Sequence, residues 1–438
     1  MAADTHYGGD PLNYKMLIHG GKPLNGSITV QGAKNAALPV IASSLLLRNR
    51  TLRIRRVPKL QDIFTMADLL RHLGASVNFT DNEMTITVPE DLNWETPKTL
   101  VRKMRASSLV LGPLLARTGR AILPLPGGCA IGSRPIDLHL KGLAKLGANI
   151  DLVHGAVHAS AEGLKGAKIY LDFPSVGATE NLLMAAVLAE GETVIENAAR
   201  EPEIRNLIET LELMGCSIGG AGTGTLHVLG RGDLDAAEIE IIPDRIEAST
   251  YLIAGAATRG DVTVKKVIPE HLDAIIAKLE EAGVGIEAGE DRVRAFQSSA
   301  MKSVSLKTLP YPGFPTDVQP QFTALMATTE GTSIIQESVF ESRFLHVSEL
   351  KRMGANIELQ GNTAVVTGVR ELNGADVRAT DLRAGAALVI AGLSSPDETS
   401  VFGLGHIWRG YEGMDEKIRS LGGQVNIVVS EENGDHKW

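Results

Sequence analysis

LLRHLGASVNF (69–79) is a compact phrase: leucines at helical spacing, one glycine, then alternating apolar residues. It returns as LAKLGANIDL (143–152), LELMGCSIGG (211–220), LEEAGVGIEA (279–288), LKRMGANIEL (350–359) and IRSLGGQVNI (418–427). The glycines Gly74, Gly147, Gly215, Gly283, Gly354 and Gly422 are 73, 68, 68, 71 and 68 residues apart. Five near-equal intervals are not a coincidence among Leu-Gly pairs. They read as six units of about 70 residues, too long for a solenoid repeat and best divided as two lobes of three. Each glycine follows i, i+3, i+4 apolar spacing, so it is predicted to be a left-handed C′ residue with a strand after it.

Each unit has an earlier half. KNAALPVIASSLLL (34–47), MRASSLVLGPLLAR (104–117) and GATENLLMAAVLAEG (177–191) read as helices rich in small residues. So do DRIEASTYLIAGAATRG (244–260), TDVQPQFTALMATTEG (316–331) and DLRAGAALVIAGLSS (381–395). Small residues on every side suit an interior helix. β-branched runs such as TVIENA, DVTVKKV and TSIIQESV follow as strands. The unit is therefore strand, helix, strand, helix, strand, strand, and the fold class is α/β.

Composition sets the outer bounds. The 438 residues are 44% hydrophobic and 22% charged, ordinary for a globular chain of two or three domains. With 43 Lys and Arg against 52 Asp and Glu, the net charge of −9 argues against a protein that coats nucleic acid. Aromatic residues, at 4%, are too few for a base-stacking surface or a membrane belt. There is no run of 18 apolar residues, so no transmembrane helix is expected. The opening MAADTHYGGDPLNYK lacks an apolar signal core and reads as a disordered leader or added tail, giving a soluble, cytoplasmic expectation. Cys129 and Cys216 form no disulfide framework and lack zinc-ligand spacing. No H-E-x-x-H or Cys/His cluster occurs, and neither metal nor cofactor is expected.

The chemistry-bearing residues recur at one place, the start of the small-residue helix: Lys34 and Asn35, Arg105, Ser175 to Gly177, Asp244 and Arg245, Asp317, and Asp381 with Arg383. A second set precedes the second helix: Cys129 with Arg134, then Arg200, Arg343 and Arg409. Helix N-termini bind anions, and cations placed there oppose the helix dipole unless an anion is present. For one arginine, a surface charge or a carboxylate partner is the simpler reading. For five or six at one repeat position, an anion site is favoured.

LPGGCAIGSRPIDLH (125–139) sets Cys129 among Gly127, Gly128 and Gly132, with Arg134 five residues on. A glycine-flanked thiol near cations is reactive, able to act as nucleophile or proton donor. Cys216, after Gly215 at a strand start, reads as core. GGAGTGT (219–225) lacks the Lys-Ser/Thr of a phosphate loop and reads as a hairpin turn.

With these motifs in view, the sequence resembles the enolpyruvyl transferases, and within them the branch that uses UDP-N-acetylglucosamine. The resemblance runs from about Met16 to Gly422. It is carried by GAKNAALP (32–39), LPGGCAIGSRP (125–135), SVGATEN (175–181), ENAAREPEI (196–204), FPTDVQ (314–319), ESRFLHV (341–347), ATDLRAGA (379–386) and RGYE (409–412). It implies a two-domain inside-out α/β barrel with helices buried and sheets outside. The implied lobes are 34–242, which carries the Cys loop, and 1–33 plus 243–438, with the active site in the cleft between them. The implied reaction moves the enolpyruvyl group of phosphoenolpyruvate to the 3′-hydroxyl of UDP-N-acetylglucosamine and releases phosphate, by addition and elimination.

The resemblance also implies roles. Cys129 is the general acid, open to alkylation by an epoxide phosphonate such as fosfomycin, and Asp317 is the base near the sugar hydroxyl. Lys34, Arg134 and Arg409 clamp phosphoenolpyruvate, with Asn35 beside them. Arg343, Asp381 and Arg383 support that site, and Asp381 takes part in proton transfer. The nucleotide sugar is contacted by Asn35, Arg105, and the run Arg134, Pro135, Ile136, Asp137 and Leu138. Further contacts come from Phe173, Pro174, Ser175, Val176, Asp317 and Val339. Asp317 also reads as a helix N-cap.

Two positions depart from the family pattern. Trp408 stands where members often have an acid, and Phe173-Pro174 where some have a lysine. Trp408 keeps one rival in play, an enolpyruvyl transferase for another nucleotide hydroxyl; a second alternative, from another class, is a regulator that binds nucleotide sugar without turnover. Intact Lys34, Cys129 and Asp317 argue against the regulator.

Overall fold

The computed structural model describes residues 13–125, 136–340 and 342–430. It divides into two compact units, one from the described residues of 32–242 and the other from those of 1–31 with 243–438. The first unit is continuous in sequence and the second is split. Hydrogen bonds explain where the chain changes unit. Ala33 N–H donates to Ile242 O (2.7 Å), whereas Asp244 N–H donates to Gln31 O (2.9 Å) and Gln31 N–H to the Glu247 carboxylate (2.9 Å).

The sixfold repeat is visible in the sheets. In the continuous unit, strand Arg50–Arg55 runs parallel to Ala237–Glu240 and antiparallel to Glu83–Val88, which pairs with Ser76–Thr80. Glu192–Glu196 repeats the pattern with Lys168–Tyr170 in parallel and the hairpin Ser217–Gly219 and Thr225–Leu229. That hairpin flanks the GGAGTGT turn. In the third sheet, around Arg120–Pro124, the parallel strand shrinks to a single bridge between Glu95 and Ile122.

The split unit has three four-stranded sheets of the same kind. In one of them the N-terminal strand Tyr14–His19 takes the place that a strand of the local hairpin fills in the other two. That strand lies between Glu398–Phe402 and Gln424–Val429, antiparallel to both.

All six repeat glycines have positive φ, from +87° to +109°. Around five of them the closing bond of a Schellman motif is present: the N–H of residues 75, 148, 216, 355 and 423 reaches back five residues, at 2.9–3.1 Å. The helices that end there are amphipathic. In Gln61–His72, Ile63, Met66, Leu69 and Leu70 are buried and the opposite face meets solvent.

The small-residue helices are different. Arg245–Ala257 and Gln319–Ala327 are buried at every position, and Leu382–Ser394 and Lys34–Ser43 at nearly every one. Three such helices centre each unit, with sheets outside them. Small residues allow the close approach: a Cβ on Gly112 would lie 2.3 Å from Asn181 O. Each unit thus has its own hydrophobic core.

Two expected α-helix starts are corrected. Arg105–Val110 and Thr316–Val318 are 3₁₀ turns, and the α-helices begin at Leu111 and Gln319. Pro113 and Pro320, which have no N–H to donate, fall in the first turn of the α-helices that follow, where that loss costs least. Cys216 is buried in the core as read, its thiol pushed up to about 12 by burial.

Candidate functional site

In the continuous unit, Lys34 opens its helix with no side-chain cap. Its ammonium lies 3.3 Å from the Asp62 carboxylate, both side chains under a tenth exposed. Asp62 comes from the first turn of the next helix and was not singled out in the sequence. Asn35 is half-buried beside Lys34.

A second cluster forms around His139. Asn181 donates from Nδ2 to Ser108 O (2.9 Å), and its Oδ1 accepts from Gly112 N–H (2.7 Å). Those two backbone groups fix the amide's orientation, so the Asn181 Nδ2 lying 2.9 Å from His139 Nδ1 is a donor. The ring's proton is therefore assigned to Nε2. Burial, then the Arg105 charge, lowers the imidazole to about 4, so it is neutral at pH 7.

His139 Nε2 lies 3.4 Å from where a Gly177 Cβ would be, so the ring faces the start of helix Val176–Ala186. Ser175 caps that helix, accepting from Ala178 N–H at 3.3 Å. Pro174, Ser175 and Val176 are half-buried and Phe173 is exposed just before it. Ile136, Asp137 and Leu138 lead into His139 on its own helix. Cys129, Arg134 and Pro135 lie outside the described residues, as does Glu341 of the ESRFLHV motif.

In the split unit the centre is Asp317. Arg343 Nη1 pairs with its Oδ1 at 2.7 Å. Arg383 donates to Oδ2 from Nη2 (3.1 Å) and Nε (3.3 Å). Asp317 is 23% exposed, while the two arginine side chains are 2% and 1% exposed, so the carboxylate is the accessible member of the trio. Asp317 makes no N-cap bond. The capping acids are Asp244, which accepts from Ile246 and Glu247 N–H, and Asp381, which accepts from Arg383 (2.8 Å) and Ala384 (3.0 Å) N–H.

Glu337, 1% exposed, ties this region together. It accepts from Thr316 Oγ1 (2.8 Å), Thr308 Oγ1 (2.7 Å) and Val339 N–H (2.8 Å), and Arg343 donates to the same Thr316 hydroxyl (3.1 Å). One buried carboxylate that no local motif announced thus holds Val339 and Thr316, the residue beside Asp317. Arg409 and Asp381 both act on His406, whose pKa is lowered by burial first and by Arg409 next, with Asp381 opposing.

Of the cations chosen from the sequence, Lys34, Arg245, Arg343 and Arg383 are buried, Arg105 and Arg409 are half-buried and Arg200 is exposed. Lys34, Arg343 and Arg383 are buried against carboxylates, the partner that the sequence reading allowed for any single one of them. Desolvated cations are tolerated because each has a paired charge. Among the described residues no group of acids, histidines and cysteines is placed to hold a metal, and no helix is long and apolar enough to cross a membrane.

A sequence profile of EPSP synthase (3-phosphoshikimate 1-carboxyvinyltransferase) matches residues 18–418. The chain belongs to this family of enolpyruvyl transferases. It is 55% identical over 399 residues to UDP-N-acetylglucosamine 1-carboxyvinyltransferase 2 of Carboxydothermus hydrogenoformans, covering 91% of this chain and 95% of the relative. The corresponding enzyme 1 of Caldanaerobacter subterraneus subsp. tengcongensis is 52% identical, over 90% of this chain and 94% of that one.

Among solved structures, the enolpyruvyl transferase NikO from Streptomyces tendae superposes with a TM-score of 0.88 at 25% identity, covering 96% of this chain and all of that chain. EPSP synthase from Acinetobacter baumannii, at 18% identity, shares the fold with a TM-score of 0.73 over 95% of this chain and 100% of that one. The two-domain α/β architecture of six repeats is that of the enolpyruvyl transferases.

Proposed function

We propose that this enolpyruvyl transferase moves the enolpyruvyl group of phosphoenolpyruvate onto the 3′-hydroxyl of UDP-N-acetylglucosamine, the first committed step of peptidoglycan synthesis. The observation that carries the reading is the 55% identity over 91% of the chain to a relative named for that reaction. The reaction needs a proton for C3 of phosphoenolpyruvate while the sugar oxygen bonds to C2. Loss of a C3 proton then expels phosphate and restores the alkene.

On this reading Cys129 supplies the first proton and Asp317 takes the hydroxyl proton, with Asp381 assisting. The partial exposure of the Asp317 carboxylate above two buried guanidiniums supports its part. Lys34, Asn35, Arg134, Arg343, Arg383 and Arg409 supply charge and hydrogen bonds for phosphate and carboxylate, the electrostatic stabilisation such a transfer requires. Arg105, residues 135–138, residues 173–176 and Val339 contact the nucleotide sugar. His139, neutral with its proton on Nε2, adds a donor beside that group.

Trp408 packs against the hydrophobic core of the split unit, its ring centre 6.3 Å from that of Tyr14. That gives the missing acid a packing explanation, and the names of the 55% and 52% identical relatives favour the cell-wall acceptor over another hydroxyl. The substrates are small anions of the cytoplasm, and we assign the enzyme there, with no nucleic-acid or membrane partner.

The test is phosphate release from phosphoenolpyruvate with and without UDP-N-acetylglucosamine, followed by the product's mass. Sugar-dependent release with an enolpyruvyl-sized gain on the nucleotide sugar is expected. Binding of the nucleotide sugar without release would defeat the reading.

A further inference from the structure

Three buried helices of the split unit bring one polar side chain each to a common place. They are Thr250, Gln321 and Arg383, and Tyr411 from the RGYE segment joins them. All are buried; Tyr411 is 1% exposed and burial raises its pKa, so its phenol keeps its proton. Gln321 Nε2 lies 3.2 Å from the phenol oxygen, 3.1 Å from Thr250 Oγ1 and 3.0 Å from Asp317 O. The Arg383 guanidinium carbon is 5.3 Å from the Tyr411 ring centre.

Proton counting sets the direction of the remaining bond. Thr250 has one hydroxyl proton, and its Oγ1 donates at 2.8 Å to Ile246 O. In the 3.0 Å contact with Tyr411 it must therefore accept, so the phenol donates to Thr250. The phenol's lone pairs then face Gln321 and the Arg383 cation. Arg383 stays protonated with a pKa held above its ordinary value; burial pulls it down, and Tyr411 and Asp317 more than offset that.

Two routes run from this one hydroxyl to Asp317. Through Arg383, which lies against the phenol and interacts with it electrostatically, it biases the fork that grips the Asp317 carboxylate, and through Gln321 it fixes the group bonded to the Asp317 main chain. We propose that Tyr411 is a positioning residue for Asp317, setting the orientation and proton affinity of that carboxylate without touching substrate. The inference rests on Asp317 acting as the base in the proposed reaction.

Tyr411→Phe keeps the ring and removes the oxygen. Arg383 then loses one restraint and pairs less well with Asp317, so the carboxyl needs a higher pH to ionise. The expected result is a fall in kcat of about 10- to 100-fold, the worth of a hydrogen bond to a charged group. KM for the nucleotide sugar should change by less than about threefold, and the acid limb of the kcat–pH profile should move to higher pH.

Wild-type phosphate release is measured first. If wild type does not turn over, the proposed reaction falls and this inference falls with it. If wild type turns over and folded Tyr411→Phe keeps both its kcat and its acid limb, the inference alone is overturned. A lower kcat that merely tracks the unfolded fraction, with an unmoved acid limb, also overturns it. Thr250→Val, which keeps Tyr411 and removes the acceptor of the phenol proton together with the hydroxyl's bonds to Ile246 O and Gln321, guards against a folding failure. It should shift the acid limb in the same direction by a smaller amount, and an unmoved limb in that folded variant counts against the inference equally.

Discussion

At the scale of single residues, Asp317 holds two guanidiniums that have almost no contact with water. Removing the carboxylate would strand both. Asp317→Ala is therefore expected to abolish turnover and to cost about 3–5 kcal/mol of stability, the range for breaking a buried ion pair. Phosphate release and denaturant unfolding read the two effects separately. Residual turnover would take Asp317 out of the reaction, and unchanged stability would contradict the buried pairing.

His346 gives a pH-dependent counterpart. It is fully buried, its Nε2 has no hydrogen-bond partner, and burial, opposed by Asp381 and aided by Arg343, lowers it to about 4. Its folded pKa lies below its unfolded one, so the unfolded chain binds the extra proton between pH 6.5 and 4. Stability from this group is complete above that window and is lost as pH falls through it. His346→Leu should therefore gain on wild type by roughly 2–3 kcal/mol between pH 7 and 4.5 in paired unfolding curves. A constant difference across that range would refute the assignment.

At the scale of elements, what the sequence disclosed was whatever leaves a local signature. The C′ glycines were legible because a left-handed residue after a helix is nearly confined to glycine. The interior helices were legible because small residues occur on all their faces. The pairing of Lys34 with Asp62 was not, since an acid 28 residues away carries no local mark of its partner. Asp244, Asp317 and Asp381 stand alike in sequence, yet two cap helices and one does not. The difference is the 3₁₀ turn Thr316–Val318, which places Asp317 inside the turn rather than at its cap. Glu337 and Tyr411 went unread for the same reason as Asp62: their partners are brought by the fold.

Close packing of these helices makes its own prediction. Gly112 approaches the Asn181 backbone so closely that any side chain forces the helices apart, and its N–H fixes the Asn181 amide. Gly112→Ala should destabilise by about 1–3 kcal/mol, as overpacking does. It should also disturb the His139 ring, visible as an altered imidazole titration by NMR. A substitution without effect on either would mean the contact is looser than described.

At the scale of the whole molecule, the repeat and its threefold division were readable from glycine spacing alone. The way the chain visits its two units, which the family resemblance implied as 34–242 and 1–33 plus 243–438, cannot be had from that spacing, because it depends on pairing between the first strand and the last ones. The continuous unit has its own core, so residues 32–242 expressed alone should unfold cooperatively in denaturant. A broad, non-cooperative transition would show that the core is insufficient by itself.

The placement of Tyr14–His19 between Glu398–Phe402 and Gln424–Val429 governs the order of events on the ribosome. The first strand emerges early but has no sheet to join until the last strands are made. The segment 32–242 can assemble during translation, while the strand ahead of it waits. At about 5–20 residues per second that wait, after residue 242 has been added, is on the order of ten to forty seconds. During it the amphipathic edge Tyr14–His19 is exposed to any chaperone or nascent neighbour able to pair with a strand.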